Sequence, residues 1–221
     1  TPVLQRPIHV PVHVLQQKLD QQLFLQYLYI QNPLTYFLHI FLYEIFSEYG
    51  FNEATINSIY DSLDDISGKQ FYSEKYRCVK DRKYLFITKK EDDSFNTNYS
   101  INTYQTNIVY PLRLHIEVLK DLNFIQIPKE KNVGMFDYDL LKFPLEIRHW
   151  KQGDVFVPFG MRGKQKVSDF FINLKLSIID KENKWLLLSN GEIIWIMGER
   201  IDDRFKITSK TKTIYKIEID G

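Results

Sequence analysis

Apolar positions recur at helical spacing over the first third of the chain. Between residues 11 and 30, Val14, Leu15, Leu19, Leu23 and Leu28 fit a 3.6-residue repeat and predict an amphipathic helix. Asn32-Pro33 then supplies an N-cap and a first-turn proline for a second helix over residues 34–48. Gly50 offers the left-handed backbone that ends it. Asn52 is placed to cap a third helix reaching about residue 63, with Phe51 and Ile56 at the spacing of a hydrophobic staple.

From Ser67 the period shortens to that of strands. Short runs at 70–75, 76–79 and 84–88, parted by Asp81-Arg82-Lys83, predict a small meander. Residues 91–106 are polar and lack a period, so a linker is expected at 93–107. It would join a helical domain at 1–92 to a β-rich domain at 108–221. Further strands are expected at 108–110, 112–118, 123–127, 145–148, 153–158, 185–188, 192–197 and 215–219. Ser189-Asn190-Gly191 reads as a hairpin turn. One short amphipathic helix, from residue 166 or 167 to 173, interrupts them. The expected class is α+β: a helical domain ending in a small β meander, then a β-rich C-terminal domain with one short helix.

Composition narrows the classes. Of 221 residues 44% are hydrophobic and 15% aromatic, which is enough apolar area to offset the entropy of ordering. Cys78 is the only cysteine, which removes an internal disulfide and any cysteine-based zinc site and fits a reducing cytoplasm. No run approaches the ~20 apolar residues of a membrane span. The chain opens on Thr1, and its first 14 residues are apolar and punctuated by proline; this reads as a piece of a longer protein.

Net charge is only +1, yet it is unevenly placed. Residues 68–90 carry eight Lys or Arg against two acids, and residues 147–175 carry six against two, so the remainder is acidic. Two basic patches on an acidic body suit contact with phosphates, or are simply solvated faces.

Marks of an active site are few. Gly160-Met161-Arg162-Gly163-Lys164 has two residues between its glycines where a Walker loop has four, and Gln165 follows the lysine where a hydroxyl is needed. His9 and His13 are four apart, but Pro11 lies between them and no third ligand is evident. The adjacent pairs Asp64-Asp65 and Asp202-Asp203 read as turns or caps, because neighbouring side chains diverge. Cys78, in an expected strand without a motif, reads as a packing residue.

The C-terminal residues form a specific constellation: Arg148, Trp150, Gly153-Asp154, Pro158, Gly160-Met161, Lys164, Lys166, Phe170-Phe171, Lys175, then Trp195, Gly198, Arg200 and Arg204. This block, from Leu145 to Thr208, resembles the C-terminal domain of bacterial tRNA(Ile)-lysidine synthetases. Tyr49-Gly50-Phe51, Ser67-Gly68-Lys69 and Asp81-Arg82 resemble that family's middle, substrate-binding domain. The family joins lysine to the wobble cytidine of an isoleucine tRNA with a CAU anticodon, consuming ATP. Its pyrophosphatase-type loop, Ser-Gly-Gly-x-Asp-Ser, does not occur here. The resemblance therefore implies that ATP, lysine and magnesium belong to a preceding domain, that these residues hold no cofactor, and that they recognise the acceptor stem and body of the tRNA. It also suggests a homodimer, and extends the last domain's fold to a domain of the phenylalanyl-tRNA synthetase beta subunit.

Arg148, Lys151, Arg162, Lys164, Lys166, Lys175, Arg200 and Arg204 are the candidate tRNA contacts, with Lys69, Arg77, Lys80 and Arg82 as further candidates in the middle domain. Each has a structural alternative: Arg148 can brace Asp154, and Arg200 or Arg204 can pair with Asp202 or Asp203. Trp150 and Trp195 can stack on a base or fill the core, while Gly153, Pro158, Gly160 and Gly198 shape turns. The rival class is a protein-interaction or dimerisation module whose aromatics face a partner. A free-standing enzyme is disfavoured by the missing nucleophile, metal set and phosphate loop.

Overall fold

The structure, a computed structural model, describes residues 8–11, 33–90, 97–120, 128 and 130–220. The chain separates into two units, Thr1–Asp92 and Asp93–Gly221, each with its own core.

In the first unit, helix α1 (Pro33–Glu48) carries Leu42 and Phe46 inward, with Leu38 and Ile45 partly buried beside them. These are the i, i+4 positions of one face. Gly50, at φ +73°, ends the helix. The Phe51 N–H donates to Phe46 O at 3.1 Å and the Gly50 N–H to Ser47 O at 2.9 Å, which closes a Schellman motif. Helix α2 (Glu53–Asp61) starts where Asn52 accepts the Thr55 N–H at 2.9 Å. Phe51 and Ile56 flank that cap and enter the same core, as a hydrophobic staple requires.

The meander follows as strands β2 (Gln70–Tyr72), β3 (Tyr76–Asp81) and β4 (Tyr84–Lys89), all antiparallel. A fourth strand, β1 (Ile8–Pro11), pairs with β4, Ile8 opposite Ile87 and Pro11 opposite Tyr84. The sequence reading did not place a strand there. The predicted helix at 11–30 falls outside the described residues except for Pro11, which closes β1. Cys78 is fully buried in the core, and burial pushes its thiol up to about 12, so it serves packing.

The second unit layers two antiparallel sheets. One runs β14-β13-β12-β9-β5, from β5 (Tyr99–Ile101), β9 (Leu145–His149), β12 (Trp185–Ser189), β13 (Glu192–Ile196) and β14 (Arg200–Ile201). The other runs β6-β7-β15-β8, from β6 (Asn107–Ile108), β7 (Leu114–Leu119), β8 (Val133–Asp137) and β15 (Ile214–Ile219). Residues of both sheets, among them Ile116, Phe136, Ile147, Leu187, Trp195 and Tyr215, share one core. Strand β12 is apolar on both faces for a reason. Leu187 enters that core, while Leu186 and Leu188 face a second one beneath helix α3 (Val167–Asn173).

Three expectations are corrected. The stretch expected as a linker at 93–107 supplies β5, which pairs with β9 through Ile101 and Leu145, and the first residue of β6. Among its described residues the polar composition hides one buried residue, Ile101. Among its described residues the C-terminal unit also holds two α-helices rather than one. The second, α4 (Ile178–Glu182), is set by a capping box in which Ser177 and Asp180 exchange bonds. Finally, a strand stands at Val133–Asp137, where none was expected; the predicted strand at 123–127 lies outside the described residues.

Gly134 in β8 faces rigid rings. A Cβ there would lie 2.7 Å from Phe136 Cζ and 3.0 Å from Trp195 Cε3. Gly134→Ala is expected to cost about 1–3 kcal/mol by overpacking, read as a lower urea midpoint at unchanged slope.

Candidate nucleic-acid interface

Beneath the cations lies a two-stranded ribbon. Strand β10 (Val155–Phe156) pairs antiparallel with β11 (Gln165–Lys166), Val155 opposite Lys166 and Phe156 opposite Gln165. Side chains alternate, so Phe156 enters the core with Val167, Phe170 and Phe171. Val155 and Lys166 share the opposite face, in solvent. The connecting turn exposes Phe159, Met161, Arg162 and Lys164.

Three aspartates hold this loop in shape. Asp154 accepts both arms of Arg148, Nη1 and Nη2 at 2.8 Å each, and the Lys151 N–H at 2.7 Å. Asp202 is fully buried and accepts the Val157 N–H at 2.8 Å. It also accepts Arg204 through Nε at 2.9 Å, Nη2 at 3.0 Å and the backbone N–H at 2.9 Å. Asp203 accepts the Gly160 N–H at 2.8 Å and Lys206 Nζ at 2.7 Å. Gly160 stands at φ +85°, a backbone that side-chain-bearing residues rarely adopt.

The electrostatics follow the contacts. Its hydrogen bonds to Asp154 hold Arg148 above its ordinary pKa against the opposing effect of burial, and those to Asp202 do the same for Arg204. Lys206, with the Gly160 N–H, holds Asp203 below the usual carboxylate range.

The candidate residues divide sharply. Lys151, Arg162, Lys164 and Lys166 are exposed and form no ion pair among the described residues. Three of them lie on the ribbon and its turn, and Lys151 stands at its foot. Lys175 is exposed in left-handed backbone after α3, a helix about 10 Å long that begins directly after Lys166. Arg200 is exposed, its Nη1 3.4 Å from Phe159 O.

Arg148 is instead taken up by Asp154, with only 13% of its side chain exposed. Arg204 is held between Asp202 and Glu192. Both therefore brace the loop.

In the first unit, Lys80 is 2% exposed, with Nζ bonded to Asp65 O and, at 3.5 Å, to Arg82 O; an ammonium buried under the turn does not face phosphate. Lys69 pairs with Asp65. Arg77 is half-buried in β3, and Arg82 is exposed at φ +52°, its N–H donating to Ser67 Oγ at 2.6 Å. Trp195 is core, and Trp150 packs edge-on against Phe171 at 5.4 Å. Phe159, 44% exposed, stands outside the expected contacts; its signal in the sequence is a large aromatic inside a Pro/Gly turn.

Two family models match the chain: the TilS substrate binding domain over residues 33–90 and the TilS substrate C-terminal domain over residues 145–219. The tRNA(Ile)-lysidine synthase of Parabacteroides distasonis is 42% identical over 185 residues, covering 81% of this chain and 41% of that protein. The tRNA(Ile)-lysidine synthase of Bacteroides thetaiotaomicron is 39% identical over 181 residues, covering 80% and 39%. The chain thus spans about 40% of the length of these curated relatives. A crystal structure of a TilS C-terminal domain aligns with 57% of this chain and 98% of its own at 16% identity and a TM-score of 0.48.

Removing Arg148 strands the Asp154 carboxylate, only 14% of whose side chain is exposed. Arg148→Ala is expected to cost about 3 kcal/mol in urea denaturation, as for other broken buried pairs. Lys151→Ala should stay within about 0.5 kcal/mol. An unchanged midpoint for Arg148→Ala would return that arginine to the set of free contacts.

Proposed function

Because the chain belongs to the tRNA(Ile)-lysidine synthase family, matching its substrate-binding and C-terminal domains, we propose that it grips the acceptor stem and body of a tRNA through the cations of its C-terminal ribbon. The observation that carries this reading is the set Lys151, Arg162, Lys164 and Lys166, exposed together around one clamped loop and free of carboxylates among the described residues. Lys175, exposed after α3, and Arg200, whose Nη1 lies 3.4 Å from Phe159 O, are further candidate contacts. Arg162 can meet a phosphate bidentately, and the lysines act as point charges. An A-form stem offers its backbone and 2′-hydroxyls rather than major-groove base edges, so the contact would read shape.

In this reading the partner is the isoleucine tRNA with a CAU anticodon, met in the cytoplasm. The ATP-dependent joining of lysine to the wobble cytidine is assigned to a preceding domain of the parent protein. Among the described residues no group of three or more His, Cys, Asp or Glu is placed to hold a metal ion. No helix among them is long and apolar enough to cross a membrane.

The test is a titration of the chain with isoleucine and methionine tRNAs at two salt concentrations. Affinity should fall steeply as salt rises. Lys164→Ala with Lys166→Ala should lower the salt slope by about two, one per lost phosphate contact, and leave the melting curve unchanged. A weak salt dependence joined to concentration-dependent self-association would favour the rival reading, a dimerisation face.

A further inference from the structure

Beside the ribbon lies a cleft of about 290 Å³. Its apolar lining includes Met135, Ile201 and the exposed ring of Phe159, and its rim carries Lys131, Arg200 and Lys206. The cations gather around Phe159. Lys206 Nζ is 6.0 Å from the ring centroid and Arg200 Nη1 is 3.4 Å from the Phe159 carbonyl oxygen. Lys131 and Lys184 both bond Glu199, at 3.0 and 2.6 Å. That carboxylate is buried, which pushes its pKa up, but the two lysines outweigh burial and keep it low. Glu130 also lines the cleft and Asp203 bonds Lys206, so the four cations Lys131, Lys184, Arg200 and Lys206 meet three acids, and Arg200 is the one of them that no carboxylate holds among the described residues.

We propose that this cleft takes an unpaired nucleotide from the single-stranded 3′ end of the tRNA, its base stacked on Phe159 and its phosphate at Arg200. The inference rests on the tRNA-binding reading above and names which part of the RNA enters this cleft. A nucleotide joins a flat π face to a phosphate, which is the pairing of surfaces that the apolar wall and cationic rim present. A base inside a stem is excluded by its own stacking, so the occupant must be unpaired. Continuity with the ribbon supports the assignment. Phe159 begins the turn that carries Arg162 and Lys164, and the five residue steps from Phe159 to Lys164 span at most about 17 Å. A stem lying along those lysines therefore has its end within reach of the cleft.

The experiment compares two RNA duplexes of acceptor-stem sequence, one blunt and one with a single-stranded 3′ overhang, bound to the whole chain. The overhang should tighten binding roughly tenfold, the effect of about one stacked base. Phe159→Ala should remove that gain while leaving blunt-duplex affinity unchanged, and Phe159→Trp should keep it. Equal affinity of the two duplexes for the unaltered chain overturns the inference, whatever the variants do. So does an equal loss on both duplexes in Phe159→Ala. If the blunt duplex still binds with a steep salt dependence in either case, the tRNA-binding reading stands without the cleft. If neither duplex nor whole tRNA binds, that reading falls and takes the cleft with it.

Discussion

The C-terminal unit depends on carboxylates, one of them fully buried, that meet backbone N–H groups and basic side chains together. Asp202 is the clearest case. It has no solvent contact, and its two oxygens accept the Val157 N–H, the Arg204 N–H and two guanidinium nitrogens. A charge so placed is tolerable only when its hydrogen bonds are complete. Completing them forces residues 157 and 204 to one point, and Pro158 bridges Asp202 as a consequence. Asp154 does the same at the other foot of the ribbon and Asp203 at its turn. A buried ion pair adds little net stability over an apolar replacement. Here its work is specification: a loop with glycines at 160 and 163 is held in one shape.

That constraint explains which cations are available. An arginine bonded to a buried carboxylate cannot leave without stranding the charge, so Arg148 and Arg204 are fixed parts of the scaffold. Lys151, Arg162, Lys164 and Lys166 carry no such duty. The Lys151 backbone N–H is held by Asp154 while its side chain projects into water. A rigid loop also loses less entropy on meeting a ligand than a mobile one does, so its contacts are preorganised.

Much of the fold was legible because local chemistry agreed with packing. The Schellman close at Gly50, the Asn52 cap and the Phe51–Ile56 staple are short-range devices, written within ten residues of one another. Helix α3 was legible from Val167, Phe170 and Phe171 at one-face spacing. Strand β5 was not, because three residues at a sheet edge show no period and only pairing with β9 makes them a strand. Strand β1 is similar, set by its partner β4. Helix α4 was a missed local signal, Ser177-x-x-Asp180.

The candidate site was half legible, and the dividing line is physical. Sequence shows where charge is, whereas burial decides whether it is available. The basic stretch at 68–90 illustrates the difference. Lys80 lies inside with its ammonium on backbone carbonyls, and Lys69 pairs with Asp65, so two of its four named candidates present no free charge. In the ribbon, by contrast, the alternation that buries Phe156 necessarily turns Val155 and Lys166 outward. A charge count over a window treats the two patches alike, although the first is denser. Strand alternation and carboxylate pairing rank them the other way. Among the described residues, the C-terminal ribbon therefore presents cations that no carboxylate holds, which the basic stretch at 68–90 does not do at Lys69 or Lys80.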